Sequence, residues 1–557
     1  MSRFVRASKY RHVFGQTGKK EYGYENVRIS GSAWDTNVVA ASGVSDHSAR
    51  EETHIIYSFS QKYISVNWNA SGGGAFAILP LPTPFAPVPN EIPYKLPDII
   101  PLARSHTAPV LDTDWSPHND SVVASGGEDG KVMIWKVEAS TFEGWGQEGW
   151  VPTDFDPVAR IDASPRKIGQ VLFHPSASNV LASASGEHTV KLWDLANTDA
   201  PKAVLSGHND AIQSLAFNPA GTLLVTTCRD RKLRMFDPRA GGEAVRITDG
   251  HGGIKGARVA WMGDLDRFVT TGFSKMSDRQ VSIWETGSLA NVKTITLDQS
   301  AGVVMPFWSD NNILFLAGKG DGNIRYYEYE NDSLFALSEH KSADPQRGMC
   351  FLPRRNLSVS DCEIARAYKV AGSSVDAIAF IVPRKADNFQ SDIFPPAHSS
   401  EPACDAAAFF SGKPVTPNYI SLENGSSVAG TQAAPPPSGP APTVTPAATP
   451  ISRSGSVSLA TPISAAPAHS PLSARSPTPP TPAPVPIPPP ASTQTSTPAP
   501  APAAAVSSPS GDSSELEAEN TRLNAELRAA REKIRNLELQ VESMKANTRK
   551  AVAALSL

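Results

Sequence analysis

Apolar and polar residues alternate in short runs along most of the first 385 positions, and the runs come in pairs. VASGGEDGKVMIW (123–135), LASASGEHTVKLW (181–193) and LVTTCRDRKLRMF (224–236) each join two period-2 segments through a tight polar turn, and each ends on an aromatic. SDRQVSIW (277–284) and GDGNIRYY (320–327) are looser copies. Period-2 alternation broken by Gly/Asp turns predicts antiparallel hairpins, each half-buried, recurring along the chain. A histidine precedes several of these endings at similar distances, from His106 to Trp135, His208 to Phe236 and His251 to Trp284.

A repeat of roughly 40–45 residues with this ending resembles the WD-repeat blade, which predicts an all-β protein built as a propeller. In such blades a His, a Ser/Thr, the turn Asp and the Trp form one buried hydrogen-bonded set. Here that set is expected at His106, Ser125, Asp129 and Trp135, and less completely at His208, Thr226, Asp230 and Phe236. In the second repeat Glu187 takes the Asp position and no matching His is evident. Five blades cover 106 to about 330. NVRIS (26–30), TNVVAAS (36–42), YISVNW (63–68) and GGAFAILPL (73–81) are expected to form another. GMCFLP (348–353), CEIARAYKV (362–370) and VDAIAFIVP (375–383) give three strands of a seventh, with the fourth supplied from the N-terminus around 11–14. Closing the ring this way removes an exposed sheet edge.

The pattern then changes. Of the 49 prolines, 23 lie between Thr431 and Ser510, where the only charged residues are Arg453 and Arg475. Such a segment buries too little apolar surface to offset its ordering entropy and is expected to be a disordered linker over 425–513. Beyond it, 514–550 lacks Pro and Gly and shows a seven-residue apolar repeat. Leu516, Leu523, Leu537 and Met544 fall at d, and Asn520, Leu527, Ile534 and Val541 at a, predicting a parallel α-helical coiled coil that joins copies of the chain. β-branched a residues with leucine at d favour a dimer. Lys533 through Glu538 resembles the trimer pattern R-h-x-x-h-E with Lys for Arg, so dimer and trimer both stand. Residues 551–557 are a tail.

Charge adds one feature. The net charge is −4, which argues against nucleic acid as a partner, yet residues 1–30 hold seven Lys/Arg against Glu21 and Glu25. A basic patch on an acidic body predicts one acidic partner surface, with weak attraction to anionic membranes as a second use. Four scattered cysteines suit a reducing compartment, and neither a signal peptide nor an apolar run of ~18 residues is present. No H-E-x-x-H, G-x-S-x-G or paired Cys/His spacing appears, and GKGDG (318–322) sits where other repeats have their hairpin turn. No enzymatic activity, cofactor or metal is expected.

Propeller, linker and short coiled coil in this order resemble the coronins. The resemblance rests on SKYRHVFGQ (8–16), YENVRIS (24–30), ASGGGAFAILPL (70–81), HTAPVLDTDWSPHND (106–120), TTGFSKMSDRQ (270–280), PQRGM (345–349), CEIARAYK (362–369) and VPRKADNFQSDIFPP (382–396). It implies a seven-bladed propeller over 1–383, a C-terminal extension over 384–424 packed on it through Phe389, Phe394, Phe409 and Phe410, and binding to filamentous actin. It places the filament-binding arginine of the Y-E-x-h-R string at Arg28, with Lys19 and Lys20 as weaker candidates on the same face. It further implies contact with the branching complex built on actin-related proteins and with cofilin, and residence in the cytoplasm on cortical actin patches or filaments. A generic WD-repeat adaptor for another complex, or an anionic-membrane adaptor, is the alternative reading.

Overall fold

The computed structural model describes residues 6–30, 39–41, 63–70, 73–88, 92–385 and 388–428, and position 522. The chain divides into units Met1–Thr445 and Pro446–Leu557, and only Arg522 is described in the second. The coiled-coil seam, Lys533, Glu538 and linker residues 429–513 therefore lie outside the described residues.

In the first unit seven four-stranded antiparallel sheets follow one another. Blade 1 takes Val39–Ala41, Tyr63–Trp68, Gly74–Pro80 and Leu102–His106. Blade 2 takes Val110–Trp115, Val122–Gly127, Lys131–Lys136 and Pro157–Asp162. Blades 3, 4, 5 and 6 begin at Ile168, Ile212, Arg258 and Val304. Blade 7 takes Gln346–Phe351, Glu363–Ala371 and Ser374–Ile381, and its outer strand is Phe14–Thr17, pairing Phe14 with Ile381 and Thr17 with Ile378. The N-terminus thus closes the ring as expected, a few residues later than the alternation placed it.

Burial explains which patterns were clear. Middle strands have a blade on either side, so Glu363–Ala371 is buried at all nine positions. Outer strands face solvent on one side, and Pro157–Asp162 keeps an alternating profile. The turn of blade 2 requires glycine at Gly130, where φ is +76° and a Cβ would lie 2.0 Å from the Ser164 carbonyl oxygen.

Two expectations need correction. NVRIS is not a strand of blade 1. Val27 and Ile29 alternate into the core, but the segment makes one bridge, Ile29 to Trp68, and Leu102–His106 is the outer strand. The extension also runs further than 424, because Ser427–Val428 pairs with Tyr419–Ile420, which pairs with Ala397–His398.

The extension lies against loops that join first and second strands. Arg354 donates to the Pro395 carbonyl, Arg355 to that of His398, and the Ser178 N–H to that of Cys404. Phe394 and Phe409 are fully buried, Phe409 edge-on to His174 at 4.3 Å, while Phe389 and Phe410 are half-buried. The opposite, upper face carries the loops between blades and the turns between second and third strands.

Candidate protein-binding surface

The upper face is held by polar clusters at the five blade junctions from blades 1 and 2 to blades 5 and 6. His106 ends the outer strand of blade 1 and reaches into blade 2, with Nδ1 3.0 Å from Asp129 and Nε2 2.7 Å from Ser125 Oγ. The Trp135 indole N–H donates to the same hydroxyl at 2.8 Å. The Ser125 hydroxyl thus joins the His106 Nε2 to the Trp135 indole while Asp129 engages Nδ1, so both ring nitrogens have partners. Burial would raise the Asp129 carboxyl, yet His106 and the Lys131 and Thr107 N–H groups outweigh it and hold it below its ordinary value.

The later junctions vary this set. His208 Nε2 lies 2.9 Å from Thr226, and its ring packs 5.3 Å from Phe236. Asp230, expected beside His208, instead takes a bidentate contact from Arg234, which also donates to the Gly207 carbonyl. The charged fork draws the carboxylate away from the imidazole, and burial, with Arg234 nearby, lowers the His208 pKa to about 4. In blade 3 Ser164 supplies the missing histidine's bond, donating to Glu187 at 2.9 Å, while Trp193 donates to Ser183. His251 and Trp284 meet at Thr270 in blade 5.

Between blades 5 and 6 the set becomes ionic, which the sequence reading missed. The Arg279 guanidinium, 2% exposed, holds Asp298 at 2.6 Å and 2.7 Å and Asp321 at 2.7 Å. Arg325 reaches Asp298 at 2.7 Å. The hydrogen bond from Arg279 holds the Asp298 carboxyl well below the usual range. Asp321 belongs to GKGDG, which forms the turn between Ile313–Gly318 and Asn323–Glu330. The separation of Asp298 and Asp321 matches that of His106 and Asp129, and this spacing was the available signal.

At the centre, inner strands of all seven blades line a channel of about 300 Å³. Asp112 and Asp114 on its wall accept from the Val171 and Phe173 N–H groups of the next blade. Burial raises Asp114 to about 7 despite its backbone bonds. A raised folded pKa means that protonation favours the fold: the contribution is whole below the unfolded value and disappears as pH rises through about 7. Asp114→Asn keeps an acceptor for Phe173 without the charge. Its stability should match wild type near pH 4 and exceed it at pH 8, by on the order of 1–3 kcal/mol. A constant difference from pH 4 to 8 would rule this out.

The exposed cations of the N-terminal segment sit at the junction of blades 7 and 1. After Thr17 the chain crosses the upper face, pairing Tyr24 with Val375 and Arg28 with the Asn69 N–H. Val27 and Ile29 point inward, so Arg28 between them points out, its side chain 52% exposed and hydrogen-bonded to Asp98. Asp98 is itself 91% exposed, and such a pair is worth about 0–1 kcal/mol, so Arg28 is free to exchange partners. Lys20 is 85% exposed and 3.5 Å from Glu25, and Lys19 lies over the Tyr22 ring at 5.4 Å. The three cations share one short segment, but Arg28 stands apart beyond the buried Gly23–Tyr24. Among the described residues no group of three or more His, Cys, Asp or Glu could hold a metal ion, and no helix is long and apolar enough to cross a membrane.

Comparison with known proteins agrees with this architecture. Residues 100–136, 155–194 and 199–237 match the WD domain, G-beta repeat, and 375–417 match a type of WD40 repeat. Residues 3–44 and 47–85 match a domain of unknown function, DUF1899. The chain is 48% identical to the coronin-like protein crn1 of Schizosaccharomyces pombe over 75% of its own length and 65% of the relative's. It is 44% identical to the coronin-like protein of Saccharomyces cerevisiae over 76% of its length and 61% of that protein's. It thus spans less than two thirds of either yeast relative. Coronin-A of Dictyostelium discoideum is 39% identical over 76% of this chain and 87% of its own. The crystal structure of the WD40 domain from Toxoplasma gondii coronin superposes with a TM-score of 0.63 at 27% identity, covering 75% of this chain and 99% of that one. With seven closed blades, the Y-E-x-h-R segment laid across the junction of first and last, and these relatives, the chain belongs to the coronin family.

Proposed function

We propose that this protein is a filamentous-actin-binding scaffold of the cytoplasmic actin cytoskeleton, in which a weak propeller contact is multiplied by oligomerisation through 514–550. The observation that carries the reading is Arg28, held outward by Val27 and Ile29 and paired, among the described residues, with an exposed carboxylate. An acidic filament surface can replace Asp98 there. One such contact is weak and screened by salt. A chain of ~90 residues with random-coil statistics spans about 50 Å, so heads joined through a segment of that length would rebind at an effective concentration approaching millimolar. Decoration and bundling of filaments follow without any catalysis. Contact with the branching complex and with cofilin belongs to the same proposal.

Filament co-sedimentation of the intact chain and of residues 1–510 tests it. The intact chain should pellet at both low and high centrifugal force, because it bundles. Residues 1–510 should pellet only at high force, as single heads do. Equal bundling by both would refute the role of the tail, and absence of any pelleting would favour an adaptor for another complex.

A further inference from the structure

The upper face carries a second basic patch, half the ring away from Arg28. His251, buried and 2.9 Å from Thr270, anchors the loop from blade 4 to blade 5. The Gly253 N–H donates to the Phe273 carbonyl, and Lys255 lies over the Phe273 ring at 4.8 Å, which sets that loop beside the blade 5 turn 274–278. Two apolar tips protrude there, Ile254 at 67% and Met276 at 84% exposure. Lys255 and Lys275 flank them and are exposed, as are Arg229 and Arg231 on the neighbouring turn of blade 4. The acids nearby already have partners: Asp210 lies 3.9 Å from Arg229, Asp249 is paired with Lys232, and Asp278 accepts from the Ser274 hydroxyl.

We propose that this patch is a second footing on the same acidic filament, so that the propeller meets it at two points across one face. Protruding methionine and arginine are enriched at protein contacts, and an apolar tip ringed by cations fits an acidic surface with a small apolar recess. The two patches lie at the junctions of blades 4 and 5 and of blades 7 and 1. Only a partner as broad as the face can touch both, which a filament is. The inference rests on the filament-binding reading and adds to it which part of the propeller faces the filament.

Met276→Glu and Lys255→Glu in the full chain, with Met276→Leu as the conservative control, test the footing by co-sedimentation. Each acidic variant should bind filaments about tenfold more weakly at unchanged melting temperature, and Met276→Leu should bind as wild type. Combined with Arg28→Asp, the losses should multiply. If wild type pellets and both acidic variants pellet equally well, the second footing is wrong while the filament reading stands. If wild type does not pellet, both fall. Unchanged filament binding together with lost sedimentation on phosphatidylcholine vesicles containing phosphatidylserine would assign the patch to a membrane instead and overturn the proposal.

Discussion

Replacing Arg279 by alanine should cost the propeller about 3–5 kcal/mol. The guanidinium is almost wholly enclosed and neutralises two carboxylates at once, so its removal leaves Asp298 and Asp321 facing each other without a cation between them. Arg325 still reaches Asp298 but is not paired with Asp321 in this cluster. Arg279→Lys should recover only part of the loss, because an ammonium cannot donate in the planar fork that spans both acids. Denaturant midpoints measure the effect, and its pH dependence identifies the cause. Asp298 has a lowered folded pKa, so the stability it supplies is present above the ordinary carboxylate value and disappears as pH falls. The gap between wild type and Arg279→Ala should therefore narrow below pH ~4. A gap that stays constant into acid would point to lost packing rather than to charge.

Arg28→Asp should weaken filament co-sedimentation by at least about tenfold at low salt while leaving the melting temperature within about 1 °C of wild type. The fold should not depend on Arg28, since its partner Asp98 is nearly fully exposed. Binding should depend on it strongly, because reversal sets two acids against an acidic surface. Raising the salt should reduce wild-type binding more steeply than that of the variant. If the variant pelleted like wild type, Arg28 would be a surface charge without a partner.

The repeat was legible because its hairpins combine alternation, a Gly/Asp turn and a terminal aromatic, and Trp135 and Trp193 occupy equivalent places. What misled was local. YENVRIS alternates as a strand does, but its bridges go to three different segments, Tyr24 to Val375, Glu25 to Lys95 and Ile29 to Trp68, so it lies across the junction instead. LARSH (102–106) is short and polar, set after a long proline-containing excursion, and alternation alone could not mark it as a strand. Among the site residues, His106, Ser125, Asp129 and Trp135 were readable as a set because each keeps its usual partner type. Asp230 was misassigned because Arg234, four residues on, competes for it more strongly than a neutral imidazole does. The Arg279 cluster went unseen because an aspartate stands in the histidine position, and only the spacing to Asp321 marks it. Arg28 was found through its string, and its outward direction could also be read from Val27 and Ile29 on either side.

The strand that closes blade 7 is made first and used last. Phe14–Thr17 leaves the ribosome roughly 360 residues before Ser374–Ile381, its partner. At ~5–20 residues per second the early strand waits on the order of 20–70 s with its edge groups unpaired. Until then no blade arrangement is final, and the nascent ring offers an open edge to other chains. Synthesis of this protein is therefore expected to depend on a chaperone that shields that edge, and an N-terminal fusion that slows the return of the strand should lower the yield of soluble protein more than the same fusion placed at the C-terminus.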